Sequence, residues 1–333
     1  MKLKAHILFL FLFVFFKARA QEIVLSQPFT AAQFLTPASV GNGVFDQRIQ
    51  SNFRSQSIGG FNFAKTIVVG WDRKYNRSAL EQSNYIGIGG QVISEQLMNG
   101  LLNTNHITVN SAYHLFLDGD DYSNLALGLG ITYSQTTLDR SKLRFGDMYD
   151  LLGNLSGYPT AEVFLSNPSR FSANTGFLFT RHSNDTYLQL SANGFFFAKP
   201  DVTNSPYNES PGMRSTLFMN LEKYFNENYT YLIHGAFSSR NKIKSYVAGA
   251  SISLPIKYEF DHDRRLYIGC FYRFKDAIIP SINIMMDDYI FGISYDIYSN
   301  DFTAASIRSN SFELTFSKSF GKRKKELMRT LFD

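Results

Sequence analysis

The feature that most constrains this chain is strict apolar–polar alternation over segments of about ten residues, the length of a barrel strand. In the segment Ser311–Phe320, Phe312, Leu314 and Phe316 share one face, and the residues between them are polar. Such alternation is typical of a β-strand with one apolar and one polar face. The apolar face can look inward in a soluble sheet, or outward at lipid in a membrane barrel with a polar lumen. By itself, the pattern leaves both folds open.

The first residues have the pattern of a secretory signal peptide. Lys2 and Lys4 precede an apolar run from Ile7 to Phe16, and the tripeptide Ala18–Ala20 supplies a small-residue cleavage site. This apolar run is too short for a transmembrane helix. We therefore predict that the protein is exported and that residues 1–20 are removed.

The remainder of the chain contains no apolar run near the roughly 20 residues that a spanning helix needs. A membrane-inserted chain without such helices must close into a β-barrel, because every backbone polar group in lipid needs a partner. The 32 Phe and 19 Tyr residues also favour strands. Cys270 is the one cysteine in the sequence, which excludes an intrachain disulfide and a cysteine-based metal site.

Fourteen segments have the length and patterning of barrel strands. They are Arg48–Ser57, Asn62–Asp72, Asn84–Leu97, Asn105–Leu117, Tyr122–Leu138, Arg170–His182, Thr186–Phe197, Met213–Phe225, Tyr229–Ser238, Ser245–Phe260, Arg265–Phe274, Ala277–Met286, Tyr289–Tyr298 and Ser311–Phe320. The fold class that we predict is all-β, a transmembrane up-and-down antiparallel β-barrel of about 14 strands in the outer membrane. The barrel spans residues 48–320.

The lengths of the connections indicate an orientation. Bacterial barrels have short periplasmic turns and longer outer loops. If residues 21–47 form an N-terminal periplasmic segment, the connections after even-numbered strands should be short, as Ser183–Asp185 is. The long outer connections are Asp139–Ser169, Ala198–Gly212 and Ser299–Asn310. The long connection at 73–83 is an exception, but a soluble sandwich gives no reason for the rest of the pattern, so we favour the membrane barrel.

The long extracellular loop, residues 139–169, is the candidate functional segment. It exceeds ordinary loop lengths, and it carries more apolar residues than a solvated linker requires. These residues are Tyr149, Leu151, Leu152, Tyr158 and Phe164. We predict that they bind a partner, as a cap or as a lid that folds into the lumen. The alternative is a loop that packs its own aromatic residues on the barrel rim.

No pattern in the sequence asks for catalysis, a cofactor or a metal. His106 and His114 lie on one face of one predicted strand, but roughly 26 Å apart, which is too far to share a metal. The glycines of 87–90 and 128–130 precede no helix, so they are not dinucleotide-binding loops. We interpret them as lumen or close-packed strand positions. We expect no enzyme activity, no cofactor and no metal site.

Short motifs along the whole mature chain resemble those of one bacterial family. Phe34–Ala38 with Gly41, followed by Ile49–Gln56, resembles an F-N-P-A-x-x-G … Y-R-x-Q opening. The other motifs are Thr108–Leu115 for Y-H-L, Asn174–Phe179 for N-x-G-x-x-Y, Gly269–Ala277 for G-x-x-Y-R … D-A, and Gly292–Ile297 for G-Y-S-Y-D. These motifs and their order resemble those of the PorP/SprF family.

This resemblance implies an outer-membrane accessory of the type IX secretion system of Bacteroidota. Members support secretion and gliding motility, or the export or surface anchoring of one large adhesin. The expected partners are therefore a large secreted adhesin, type IX secretion components, and outer-membrane lipid and lipopolysaccharide. A porin-like channel for small solutes is the alternative, and a soluble secreted β-sandwich lectin is a third class.

The charge of the chain excludes nucleic acid as a partner and leaves two interpretations for one basic segment. The net charge of +5 comes from the leader and from the basic periplasmic tail, residues 321–333. The barrel body therefore has no basic face of the kind that binds nucleic acid. The run Lys322–Lys325 either contacts periplasmic secretion subunits or is a solvated charge run.

Overall fold

The computed structural model describes most of the chain from residue 24 onward. The described ranges are 24–75, 84–117, 122–150, 154–155, 169–183, 185–197, 213–225, 229–240, 243–256, 264–299, 309–321 and 330–331. The predicted signal peptide, residues 1–20, lies outside them.

Fourteen antiparallel strands form one closed barrel in which each strand pairs with its neighbours in the chain. The first strand closes the barrel against the last, in a register that runs from Gln47↔Phe320 to Ile58↔Ser309. The strands are β1 (Gln47–Ile58), β2 (Phe61–Tyr75), β3 (Tyr85–Leu97), β4 (Leu102–Leu117), β5 (Tyr122–Leu138), β6 (Ser169–His182), β7 (Thr186–Phe197), β8 (Met213–Tyr224), β9 (Thr230–Arg240), β10 (Ile243–Pro255), β11 (Arg265–Arg273), β12 (Ala277–Met286), β13 (Tyr289–Tyr298) and β14 (Ser309–Phe320). The predicted up-and-down all-β barrel is confirmed.

The two faces of the barrel wall have the polarity of a membrane barrel. Leu127, Leu129 and Ile131 of β5 point outward and are 66%, 66% and 64% exposed, whereas Thr132 is 1% exposed. On β14, Glu313 is likewise buried. Because the apolar side chains cover the outside and the polar ones line the inside, the wall suits lipid outside and a polar lumen.

Strand β10 is shorter than predicted, and strand β12, whose bounds match the prediction, has an interrupted ladder. Strand β10 ends at Pro255, five residues before the predicted Phe260. Strand β12 contains Pro280, and its ladder with β13 is interrupted between the pairs Ile278↔Ile297 and Ser281↔Ser294. Proline has no backbone N–H to donate, so a gap in the ladder is expected at this residue.

The connections retain the predicted asymmetry in part. The three longest lie at the end of the barrel that we name the outer end, at 139–168, 198–212 and 299–308. At the opposite, periplasmic end, most connections are short, but 76–84 and 256–264 are not. The shorter β10 lengthens the second of these beyond the prediction.

Short helical turns precede β1 and follow β5. Before β1 come a 3-10 turn (Pro28–Thr30), a one-turn helix α1 (Ala32–Leu35) and a second 3-10 turn (Pro37–Ser39). After β5 come the 3-10 turns Arg140–Lys142 and Gly146–Met148. No helix within the described ranges is long and apolar enough to cross a bilayer.

The outward face of β5 allows a direct test of membrane insertion. We predict that Leu129→Arg lowers the free energy of unfolding by about 2–4 kcal/mol, because Leu129 lies near mid-strand, where lipid is most apolar. Gln135→Arg, on the same face near the outer end, should cost about 0–1 kcal/mol. Urea titrations of both variants folded into lipid vesicles measure the difference. Equal losses would contradict a membrane-facing wall.

Candidate functional site

The N-terminal segment before β1 lies inside the barrel, where residues 25–45 form what we call the plug. Nearly every plug residue is buried, including Ser26, Gln27 and Ala38 at 0% exposure. Residues 25–45 of the predicted periplasmic segment, 21–47, therefore lie in the lumen, whereas residues 21–23 are outside the described ranges. The physical reason is that polar side chains on the lumen face of the strands need hydrogen-bond partners when they are buried, and the plug supplies such partners.

A buried ionic cluster holds the start of the plug. Asp296 of β13 accepts hydrogen bonds from Arg54 Nη2 at 3.1 Å and from Arg273 Nη2 at 2.9 Å. Ser26 Oγ of the plug donates to the other oxygen of Asp296 at 2.6 Å. Because Asp296 and Arg54 are almost completely buried, this cluster acts without screening by water.

Glu313 of β14 binds the backbone of the plug. Its carboxylate accepts from the amides of Ser26 at 2.6 Å and Gln27 at 3.1 Å, and from Asn52 Nδ2 at 3.1 Å. Two backbone amides without a strand or helix partner are thereby satisfied. This lumen-facing carboxylate therefore fixes the path of the plug backbone and does not serve to bind a ligand.

Glycines in the wall let the plug approach the strands closely. A Cβ on Gly128 would overlap the backbone of Ala38, and one on Gly87 would overlap the carbonyl of Val40. The interpretation of these glycines as lumen or close-packed strand positions is confirmed. A Cβ on Gly176 would instead meet the side-chain oxygen of Thr36.

The lumen histidines pack against the plug. His114 Nε2 lies 2.8 Å from the carbonyl oxygen of Val40, and its ring stacks on Tyr85 at 4.3 Å between centroids. The ring of His234 lies 5.0 Å from that of Phe29. Within the described ranges, no group of three or more His, Cys, Asp or Glu side chains is placed to hold a metal ion.

Part of the C-terminal tail also enters the lumen. Leu331 is 3% exposed, and its amide donates to Glu222 Oε2 at 3.0 Å. Tyr267 OH donates to the other oxygen of Glu222 at 2.5 Å. The predicted basic run at 322–325 lies outside the described residues, so its contact with periplasmic subunits stays a prediction.

Above the plug, a cavity of about 230 Å³ lies in the outer half of the lumen; we call it the outer chamber. Gln33 and Phe34 of the plug contribute to its lining. The wall residues that line it are Gln91, Ile93, Glu95, Leu97, Leu102, Thr104, His106, Thr108, Thr132, Thr136, Arg170, Asn174, Asn193, Phe195, Arg214 and Arg240. Sequence reasoning did not bring its three arginines together, because they come from three different strands. The one signal in the sequence was the apolar–polar alternation of each strand, which places its arginine on the lumen face.

The predicted partner-binding residues fall mostly outside the described part of the loop. Tyr149 is 42% exposed and forms an isolated bridge with Leu155. The other four, Leu151, Leu152, Tyr158 and Phe164, are not among the described residues, so their role stays a prediction.

The start of this loop is tied to the neighbouring outer turn at 98–101. The Asp139 amide donates to Leu101 O at 2.8 Å, and Lys142 Nζ donates to Asn99 O at 2.9 Å. Hydrogen bonds from Ser141 lower the pKa of the Asp139 carboxyl below its usual value.

A closed barrel with an apolar exterior and an internal plug defines the class of outer-membrane β-barrel proteins. Among solved structures, the chain is similar to a mutant of the monoaromatic hydrocarbon channel TodX, with a TM-score of 0.50, 13% identity, and coverage of 88% of this chain and 94% of that chain. The monoaromatic hydrocarbon channel CymD gives a TM-score of 0.50 at 9% identity, over 90% and 94%. A Pseudomonas aeruginosa FadL homologue gives 0.47 at 10% identity, over 88% and 94%. At these identities the likeness shows the fold alone.

Sequence comparison identifies the family. The family model described as "Type IX secretion system membrane protein PorP/SprF" matches residues 18–317, and the chain belongs to this family. The resemblance inferred from the sequence motifs is confirmed, and so is the predicted location of the protein in the outer membrane. No match was found among curated proteins.

The buried ionic cluster predicts that a single conservative substitution will strongly destabilise the protein. Asp296→Asn should lower the free energy of unfolding by about 3 kcal/mol or more, because two buried guanidinium groups lose their shared carboxylate. The control is Asp287→Asn, which removes the exposed ion pair with Arg264 and should cost less than about 1 kcal/mol. Chemical denaturation of both variants compares the two. A similar small cost for each would contradict the role of the cluster.

Proposed function

We propose that this protein is a non-enzymatic accessory of type IX secretion that supports the export or surface anchoring of a large secreted adhesin. The observation that carries the proposal is the filled lumen: residues 25–45 occupy the space that a solute would need. Because its own chain fills the interior, the barrel offers a partner a binding surface at its outer end rather than a path through the lumen. Family membership supports the secretion role.

Three long connections join strands at the outer end, and we assign the surface for such a partner to them. The longest, 139–168, begins on a hydrogen-bonded base at residues 98–101. A fixed base reduces the ordering cost that a binding loop pays when it captures a protein. We assign the binding of the adhesin chiefly to this connection and to 198–212.

Other contacts follow from the barrel surface and its tail. We assign the exposed apolar face of the wall to contact with outer-membrane lipid and lipopolysaccharide, and the basic sequence at 322–325 to contact with periplasmic secretion subunits. The buried acids, histidines and arginines that contact the plug hold it in place, so we assign no catalytic role to them.

A small-solute channel is the competing function. The similar TodX and CymD structures are described as monoaromatic hydrocarbon channels, and the outer chamber has room for a small molecule. A shared fold does not carry a function with it. The plug beneath the chamber favours the accessory role.

Capture of the native partner tests the proposal. We expect the tagged protein, purified from solubilised outer membrane, to retain one large surface protein together with secretion components, as identified by mass spectrometry. Deletion of residues 144–166 should abolish retention of the surface protein, because it removes the main outer loop while sparing its base. The control carries the same epitope tag in the periplasmic turn 118–121 and an intact loop. Full retention by the deletion variant would contradict the assignment of this loop.

A further inference from the structure

The plug runs along β1 in the direction opposite to the strand. Four lumen-facing side chains of β1 hydrogen-bond to the plug, and the position in the plug falls as the position in β1 rises. The pairs are Arg48 with Ser39 at 3.4 Å, Gln50 with Ala32 at 3.3 Å, Asn52 with Thr30 at 2.7 Å and Arg54 with Ser26 at 3.3 Å. Because β1 begins at the periplasmic end and ends at the outer end, the amino-terminal end of the plug points toward the outer end.

The carboxyl-terminal end of the plug lies at the periplasmic end of the barrel. Lys74, the residue before the last of β2, donates from its amide to Asp46 O at 2.8 Å and from Nζ to Gly43 O at 2.9 Å. Asp46 is exposed and directly precedes β1. The two ends of the plug therefore lie toward opposite ends of the barrel.

The register of the wall places the start of the plug beside the outer chamber. Arg54, which bonds to Ser26, pairs with Thr66 of β2. Thr66 in turn pairs with Glu95 of β3, which lines the outer chamber. Ser26 is therefore held on a row of wall residues that ends, two strands away, in the wall of the chamber.

Apolar packing gives the same location. Leu25 shares one hydrophobic cluster with Ile93 and Phe34, and both of these line the chamber. The lining also includes Leu97, the last residue of β3, and Leu102, the first residue of β4, which lie at the outer end. The chamber thus extends from the outer rim of the wall down to side chains that pack with the start of the plug.

Burial decreases toward the amino-terminal end of the plug. Ser26 and Gln27 are 0% exposed and Leu25 is 2% exposed, whereas Val24, which directly precedes the plug, is partly exposed. The two carboxylates that bind Ser26 fix the chain just after this exposed residue. A residue held beside a fixed segment offers a defined contact point, because little chain ordering remains to be lost on binding.

We propose that the amino-terminal end of the plug, at Val24, opens to the cell exterior through the outer chamber, and that a protein held at the outer end covers it. The opening follows from the path of the plug and the orientation of the barrel. The covering rests on the proposed function, because the protein concerned is the surface partner assigned to the outer connections. The plug then forms part of the surface that the barrel shows to its partner, in addition to filling the lumen.

Cysteine labelling from outside the cell tests the opening. The background is Cys270→Ser, which removes the one cysteine of the sequence. Val24→Cys reports the start of the plug and Asp46→Cys its periplasmic end. Phe61→Cys reports the outer rim, because Phe61 begins β2 and is 79% exposed. The reagent is a maleimide on a linear polyethylene glycol chain too large to cross the outer membrane, and labelling is read as a gel shift.

The host for this test lacks type IX secretion, so that no partner covers the outer end. We expect Val24→Cys and Phe61→Cys to shift in intact cells, and Asp46→Cys to shift only after the outer membrane is permeabilised. Heat-modifiable gel mobility confirms that each variant is folded. A folded Val24→Cys variant that shifts only after permeabilisation, or not at all, would overturn the proposal.

Labelling in cells with intact type IX secretion separates this inference from the proposed function. We expect Val24→Cys to shift more slowly there than in the first host, because the partner covers the chamber. If capture recovers a surface protein but Val24→Cys shifts equally fast in both hosts, the covering is wrong and the accessory role stands. If capture recovers no surface protein, the accessory role and the covering both fail, whatever the first host shows about the opening.

Discussion

The structure depends on the need to satisfy a polar lumen without opening it to water. Alternating strands place charged and amide side chains on the inside of the wall, and burying these groups without partners costs free energy. The plug supplies several of these partners: Ser26 joins Asp296, which Arg54 and Arg273 also bind, and Glu313 binds two plug amides. The same contacts fix a segment that has little regular structure of its own.

The wall could be predicted from the sequence, whereas the plug could not. Apolar–polar alternation with a period of two residues indicates a strand wherever it occurs, so the sequence predicts the strands and their order. Strand β14, for example, can be predicted from its own residues alone. Residues 25–45 have no such period, and their position is set by partners on distant strands, such as Gly87 and Gly128. Those glycines were recognised as close-packed positions, but the sequence does not show what packs against them.

The candidate site was only partly visible for the same reason. The loop residues Leu151, Leu152, Tyr158 and Phe164 were chosen by composition, and they remain a prediction. Arg170, Arg214 and Arg240 were overlooked, since single arginines on separate strands look like ordinary lumen residues until the barrel closes. The pairing Arg214↔Arg240 then brings like charges together. Sites assembled across strands need the register, which short-range patterns do not contain.

The plug is the feature on which the proposed accessory role depends, because a barrel of this fold can also be a channel. The most direct test is the conductance of the purified protein in planar lipid bilayers, compared with a variant that lacks residues 25–45. A plugged lumen predicts no steady conductance for the intact protein and discrete open-channel steps for the variant. Steady open-channel steps from the intact protein would contradict a plugged lumen.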